Sequence, residues 1–150
     1  MDLFSSVPYI ENDKLSDFAA AAARLLPVSG ERSGRFALRE LRRRARELRL
    51  CHEAVRKRCA GQPTTPAACE WLLDNWYLVQ QELLAVRESY AGARRLRQTG
   101  GELLIGALCR SLLHAGHGSV TPERCRLYLG GFQSVTPLRR RELLLFPAAL

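Results

Sequence analysis

The sequence predicts an all-α protein, an irregular bundle of five to six helices formed by a single helical domain of 150 residues. Two observations lead to this prediction. Apolar residues recur at alternating spacings of three and four over long stretches, as they do along one face of a helix. Glycine and proline fall between these stretches, and no segment shows the alternation of apolar and polar residues that a half-buried strand requires.

Residues 1–34 are predicted to hold the first helix and a loop. Residues 19–23 are all alanine, which favours helix strongly but gives little side chain to pack, so neighbouring elements must approach closely. Pro27, Gly30 and Gly34 end the helix and form the loop. The apolar face of this helix comprises Leu15, Phe18, Ala22 and Leu25.

Residues 35–60 are predicted to form a basic amphipathic helix. Its apolar face comprises Leu38, Leu41, Ala45, Leu48, His52, Val55 and Cys59. Its opposite face carries Arg39, Arg42, Arg43, Arg46, Arg49 and Arg56. A basic face of this kind suits an anionic membrane or a partner protein, although a solvated surface explains it more simply.

Residues 64–90 are predicted to form one central helix that contains both tryptophans of the chain. A threonine followed by a proline, Thr65 and Pro66, is typical of a helix start. The apolar stripe of the central helix comprises Leu72, Trp76, Val79, Leu83, Val86 and Tyr90. After it the pattern is lost, and residues 91–101 are predicted to be a basic loop. The candidate contact residues of that loop are Tyr90, Arg94, Arg95 and Arg97.

Residues 101–150 are predicted to form three shorter helices. Gly116 ends the first, and the pairs Thr121–Pro122 and Thr136–Pro137 begin the other two. Residues 143–146 are apolar on every side of the last helix, and a helix of that kind is usually buried in something larger. We therefore expect the chain to be the front part of a longer protein, with this helix truncated, or one half of an assembly.

Composition excludes several classes of function. The net charge of +8 comes almost wholly from arginine, a bias that a GC-rich genome produces without selection for phosphate contacts, so no nucleic-acid partner is expected. The five cysteines are scattered and predicted to be reduced thiols. None has the pairwise spacing of a metal site, so neither a metal nor a cofactor is predicted. No apolar run is long enough to span a bilayer.

The order of motifs resembles the amino-terminal region of cyclic β-1,2-glucan synthases. The resemblance begins at residues 3–5, is strongest over residues 70–78 with Gln81 and Glu82, and continues through residues 135–138, residues 141–143 and Pro147. The family has a Gly-Tyr-Tyr-Arg-Glu-Leu-Pro type of run after the central helix, where this chain has residues 90–96 without proline or acid. It also tends to have tryptophan at the position of Leu144.

The resemblance implies an accessory role for this chain and assigns it no catalytic reaction. These synthases are large bacterial proteins that join a membrane-embedded glycosyltransferase, which uses UDP-glucose, to a glycoside-phosphorylase-like domain. This segment would be a non-catalytic accessory region that packs against or positions the transferase. Its partner would be the downstream transferase domain or a separate protein, at the cytoplasmic face of the inner membrane, with membrane contact only through later segments. The organising motif would comprise Glu70, Trp71, Asp74, Asn75, Trp76 and Tyr77.

Two other functions remain open from the residues alone. One is a stand-alone binding module that places its arginine face on nucleic acid or anionic membrane. The other is an enzyme in which Glu70 and Asp74, at i and i+4 on one helix face, act as acid and base. A structural role for these two residues is the simpler interpretation. The helix dipole would stabilise the Glu70 carboxylate in the first turns of the helix, while Asp74 and Asn75 would form hydrogen bonds to a neighbouring helix or loop.

Overall fold

A computed structural model describes residues 8–62 and 64–150. Outside this range lies the start of the predicted 1–34 segment, including Leu3, Phe4 and Ser5, at which the family resemblance begins. The described helices are α1 Asn12–Leu25, α2 Gly34–Cys59, α3 Ala67–Asp74, α4 Trp76–Ala91, α5 Leu104–Ala115, α6 Pro122–Val135 and α7 Arg140–Ala149. The strands are β1 Gly30–Arg32, β2 Leu96–Thr99 and β3 Glu102–Leu103. The all-α prediction is confirmed, although the described range has seven helices and one small sheet where the sequence predicts five to six helices.

The described chain divides into two compact units, where the sequence predicts one domain. The first, here called the core unit, comprises Met1–Ser33 together with Arg94–Leu150. The second, here called the hairpin unit, comprises Gly34–Ala93 and is inserted within the sequence of the first. Each unit has its own contacts, so each is described by itself.

The core unit is built on the packing of α1 against α6 and of α5 against α7 and β2. Its completely buried apolar side chains come from α1, α5 and α6, namely Leu15, Ala19, Leu104, Leu108, Leu112, Ala115, Tyr128 and Phe132. The helix α7 buries Leu145 and Phe146 and leaves Leu144 exposed. The last apolar run is therefore partly buried within this unit, although the sequence pattern suggests that it needs a larger partner.

The three strands correct the expectation that no strand is present. β2 pairs antiparallel with β1 and with β3, in the order β1-β2-β3. The turn between β2 and β3 places Gly100 and Gly101 at φ values of 53° and 87°, a region that glycine adopts without steric cost. Strands of two to four residues are too short to produce a readable alternation of apolar and polar residues.

The backbones of α1 and α6 approach very closely at one point, as the alanine run of α1 predicts. A Cβ atom added to Gly131 would lie 2.1 Å from the carbonyl oxygen of Ser16, whereas one added to Gly130 would have no atom within 4 Å. Position 131 therefore has no room for a side chain, whereas the adjacent position 130 has room for one.

We expect Gly131→Ala and Gly130→Ala to change stability in opposite directions. Gly131→Ala must push α1 away from α6, which lowers the free energy of unfolding by roughly 1–3 kcal/mol. Gly130→Ala replaces a flexible residue by the best helix former and raises that free energy by up to about 1 kcal/mol. Urea unfolding monitored by circular dichroism measures both, and a neutral Gly131→Ala would contradict the close packing.

The hairpin unit comprises α2, α3 and α4, of which α2 and α4 pack antiparallel, and it has very little core of its own. At one end the Gly34 N–H donates to the Ala93 carbonyl at 2.8 Å, and farther along α2 the His52 ring stacks on the Trp76 ring. The predicted central helix is divided at Asn75 into α3 and α4. Only Gly34 and Tyr90 are buried among the described residues of this unit, because each of its three helices is covered along only part of its surface by the other two.

Candidate functional site

The motif at residues 70–77 lies across the junction of α3 and α4 in the hairpin unit. Glu70, Trp71 and Asp74 are exposed side chains of α3, and Tyr77 is an exposed side chain in the first turn of α4. Trp71 is 59% exposed and Tyr77 is 56% exposed. Large aromatic side chains at such exposure are typical of surfaces that bind other proteins.

Asn75 forms the break between the two helices. Its Nδ2 group donates to the carbonyl oxygen of Trp71 at 2.9 Å, and its own carbonyl accepts from the Leu78 N–H at 3.0 Å. An asparagine side chain that bonds to nearby backbone competes with the regular helix pattern. The expectation that Asp74 and Asn75 bond to a neighbouring helix or loop is therefore wrong for Asn75, whose partners belong to its own segment.

Trp76 joins this motif to α2. Its ring and the ring of His52 are stacked, with centroids 4.2 Å apart and an interplanar angle of 12°. Both side chains are half-buried. The stack is therefore one of the contacts through which α2 packs against α4.

The geometry of Glu70 and Asp74 gives no support to acid–base catalysis. Both carboxylates are exposed at the surface of α3. Catalytic carboxyl pairs depend on burial or on a neighbouring charge to separate their pKa values. In the part of the chain that the structure describes, neither carboxylate takes part in an ion pair.

The predicted contact loop is held in place by the core unit, apart from Tyr90, which is buried at the end of α4. The Arg94 carbonyl accepts from Arg141 at 3.1 Å, and the Arg95 carbonyl accepts from Arg139 at 3.3 Å. Because these carbonyl oxygens are bonded to α7 and its N-cap, the segment is more restrained than a simple connecting loop.

Arg97 is a structural residue and not a free contact residue. It lies in β2, where its Nε group donates to a Glu142 carboxylate oxygen at 2.9 Å and its Nη2 group donates to the Pro137 carbonyl at 2.8 Å. Burial alone would raise the pKa of Glu142, but hydrogen bonds from the Arg97 side chain and the Arg139 N–H lower it below its usual value. The same ion pair raises the pKa of Arg97. The sequence offered no signal for this pairing, because the two residues are far apart in the chain.

The hairpin unit also contains a groove that the sequence pattern did not predict. This α2–α4 groove has a volume of about 560 Å³, which is within the range of roughly 300–1,000 Å³ found for ligand-binding clefts. Its apolar lining consists of Leu38, Leu41, Ala45, Leu83 and Leu84. Its polar lining consists of Arg42, Arg46, Arg49, Gln80 and Arg87.

The described residues contain no cluster of metal-ligating side chains and no helix able to cross a membrane. Across residues 8–62 and 64–150, no cluster of three histidine, cysteine or acidic side chains has a geometry that could hold a metal ion. All five cysteines are free thiols, and burial raises the pKa of Cys109 to about 12. None of the helices in this range combines the length and apolar character needed to cross a membrane.

Comparison of the chain with protein families, with curated proteins and with solved structures finds no match.

Proposed function

We propose that this chain is a non-catalytic interaction domain whose hairpin unit docks on a partner protein. The observation that carries the proposal is the imbalance between burial and exposure within the hairpin unit. Only Gly34 and Tyr90 are buried in its described part, while six large apolar side chains remain exposed. These are Leu48, Leu50, Trp71, Tyr77, Leu78 and Leu84.

This imbalance has a physical consequence. Burying apolar surface stabilises a complex by roughly 25 cal/mol per Å², and exposed aromatic side chains contribute much of the binding energy at protein interfaces. A hairpin that leaves such side chains in water gains more from a partner than a well-packed domain does. Nothing comparable favours catalysis, because Glu70 and Asp74 are exposed.

The partner we propose is the transferase region of a cyclic β-1,2-glucan synthase-like protein. Support for this identity comes from the resemblance of residues 70–78, 135–138 and 141–143 to the amino-terminal region of these synthases, which implies an accessory role. In that arrangement the hairpin unit positions the transferase at the cytoplasmic face of the membrane. The sugar-nucleotide chemistry then belongs entirely to the partner.

The test is to measure binding of the transferase region to the chain and to variants of the motif. The transferase region is taken from the same reading frame or from an adjacent gene, and binding is measured by isothermal titration calorimetry. We expect Trp71→Ala with Tyr77→Ala to weaken binding at least tenfold, because both truncations remove exposed aromatic contact area. The matched control is Leu25→Ala with Leu144→Ala, which truncates two exposed apolar side chains of the core unit and should change affinity less than twofold.

Three results would overturn the proposal. The first is the absence of any transferase region encoded beside this chain, and the second is an equal loss of affinity in the control variant. The third is binding to nucleic acid or anionic vesicles that falls steeply with salt, as phosphate contacts do, in the absence of binding to the transferase region.

A further inference from the structure

The α2–α4 groove combines an apolar floor with a row of cations along one side. Arg42, Arg46 and Arg49 lie on α2 at successive spacings of four and three residues, so they lie along one side of that helix over about 10 Å. Arg87 stands on the α4 side of the groove. The apolar floor lies between these cations, and its Leu84 is 53% exposed.

The groove arginines differ from Arg43 and Arg44 of α2 in having no ion-pair partner among the described residues. Arg43 and Arg44 are paired with Glu40 and Glu47 on the same helix. In the described part of the chain, no ion pair involves the four arginines that line the groove. Glu40 and Glu47 thus neutralise Arg43 and Arg44, whereas the charges of the groove arginines leave the groove positive.

We infer that the α2–α4 groove binds an acidic amphipathic helix of the partner protein. Two antiparallel helices leave a shallow channel along their line of contact, and a third helix fills it with apolar side chains at i, i+3, i+4 and i+7. Acidic residues at i, i+4 and i+7 beside that stripe would match the spacing of Arg42, Arg46 and Arg49. Because the groove belongs to the hairpin unit, this inferred ligand rests on the proposed function.

The lining favours a helix over the other anionic ligands. Nucleic acid presents phosphates to a basic face and gains nothing from the leucine floor. A lipid surface is broad and flat, whereas the arginines and leucines here line a concave channel between two helices. A helix satisfies both parts at once, since its apolar face meets the floor and its acidic flank meets the arginine row.

The test uses synthetic peptides of three heptads with leucine at the a and d positions. The acidic peptide carries glutamate at e and g, the basic peptide carries lysine there, and a third peptide is a scramble of the acidic one. We expect the full chain to bind the acidic peptide and neither of the others. R42E/R46E/R49E should weaken that binding at least tenfold in low salt and should now accept the basic peptide.

Two further variants test whether binding depends on the position of the charges and on the apolar floor of the groove. R35E/R56E/K57E makes the same change of charge on exposed positions of α2 outside the groove, and it should alter affinity less than threefold. Leu84→Ser removes an exposed apolar group from the floor and should weaken binding severalfold without unfolding the chain. All of these positions are exposed, so circular dichroism spectra should be unchanged.

The outcomes separate this inference from the proposed function. If the transferase region binds with dependence on Trp71 and Tyr77 but is indifferent to the triple reversal, the groove ligand is wrong and the docking function stands. If the acidic peptide binds as expected but no transferase region does, the groove ligand stands and the partner's identity is wrong. Equal weakening by R35E/R56E/K57E, or preferential binding to phosphatidylglycerol vesicles, would overturn the inferred helix.

Discussion

Replacing Glu142 with glutamine is expected to lower the free energy of unfolding by about 3–5 kcal/mol, the range found when one partner of a buried ion pair is removed. Glu142 is 1% exposed and accepts hydrogen bonds from the Arg97 side chain and from the Arg139 N–H. A neutral amide leaves the Arg97 guanidinium without its counter-charge in a largely dry environment. Urea unfolding at neutral pH measures the loss.

Glu123→Gln is the matched control, because Glu123 is also an acidic residue in the first turn of a helix but is exposed. It loses only the interaction with the helix dipole, which is worth below about 1 kcal/mol. Similar losses in the two variants would show that the Arg97–Glu142 pair contributes nothing specific to the core unit.

The pH dependence of this effect has a definite sign. The folded-state pKa of Glu142 is lower than its ordinary value of 4.5. The carboxylate therefore contributes stability that is fully present above the unfolded-state pKa and is lost as the pH falls through the folded-state value. The difference in unfolding free energy between the natural chain and Glu142→Gln should shrink below about pH 4.5. A difference that stays constant from pH 7 to pH 3 would contradict the lowered pKa.

Replacing Arg124 with methionine is expected to lower the free energy of unfolding by roughly 2–4 kcal/mol, because hydrogen bonds from a charged donor are strong and their buried acceptors would lose their partner. Arg124 is 2% exposed. Its guanidinium donates to the Asn12 side chain at 2.8 Å, to the Ile10 carbonyl at 2.9 Å and to the Ala115 carbonyl at 3.2 Å. It thereby ties the start of α1 to the end of α5.

Arg126→Met controls for the loss of one positive charge from the same helix, since Arg126 is exposed and its replacement should change stability by less than about 0.5 kcal/mol. Hydrogen exchange adds a local measurement. The Ile10 N–H, which donates to the Ala115 carbonyl at 2.9 Å, should exchange faster in Arg124→Met. Unchanged protection at Ile10 would contradict the role of Arg124 as the connection between these segments.

Helix periodicity predicted most of the helices, whereas only one of the three threonine–proline pairs marks the start of a helix as predicted. The bounds of α2 agree with the predicted segment 35–60 to within one residue. The agreement is close because seven apolar-face residues follow the helical spacing along the whole segment. Thr121 caps α6 as predicted, with its Oγ1 accepting from the Arg124 N–H at 3.2 Å. The other two threonine–proline pairs do not begin their helices. α3 starts after Pro66, and α7 starts after Arg139, where Glu142 accepts the Arg139 N–H.

The sequence predicted the motif at residues 70–77 as part of the candidate site, but it did not predict the α2–α4 groove. The resemblance identified Trp71 and Tyr77, which the structure leaves exposed. The groove depends on the register between α2 and α4, and periodicity within one helix cannot reveal which residues of another helix lie opposite. The apolar face of α2 includes Leu38 and Leu41, which are only half-buried, because α3, the third helix of the hairpin unit, contributes no residue to the lining of this groove.

The most direct test of the proposed interaction role is amide hydrogen exchange of the whole chain, free and mixed with the proposed transferase partner. Docking through the hairpin unit predicts slower exchange across α2 and α4 on binding, with the core unit as the internal reference that stays unchanged. Slower exchange confined to the core unit, or no change in either unit when the transferase region is added in excess, would contradict the account.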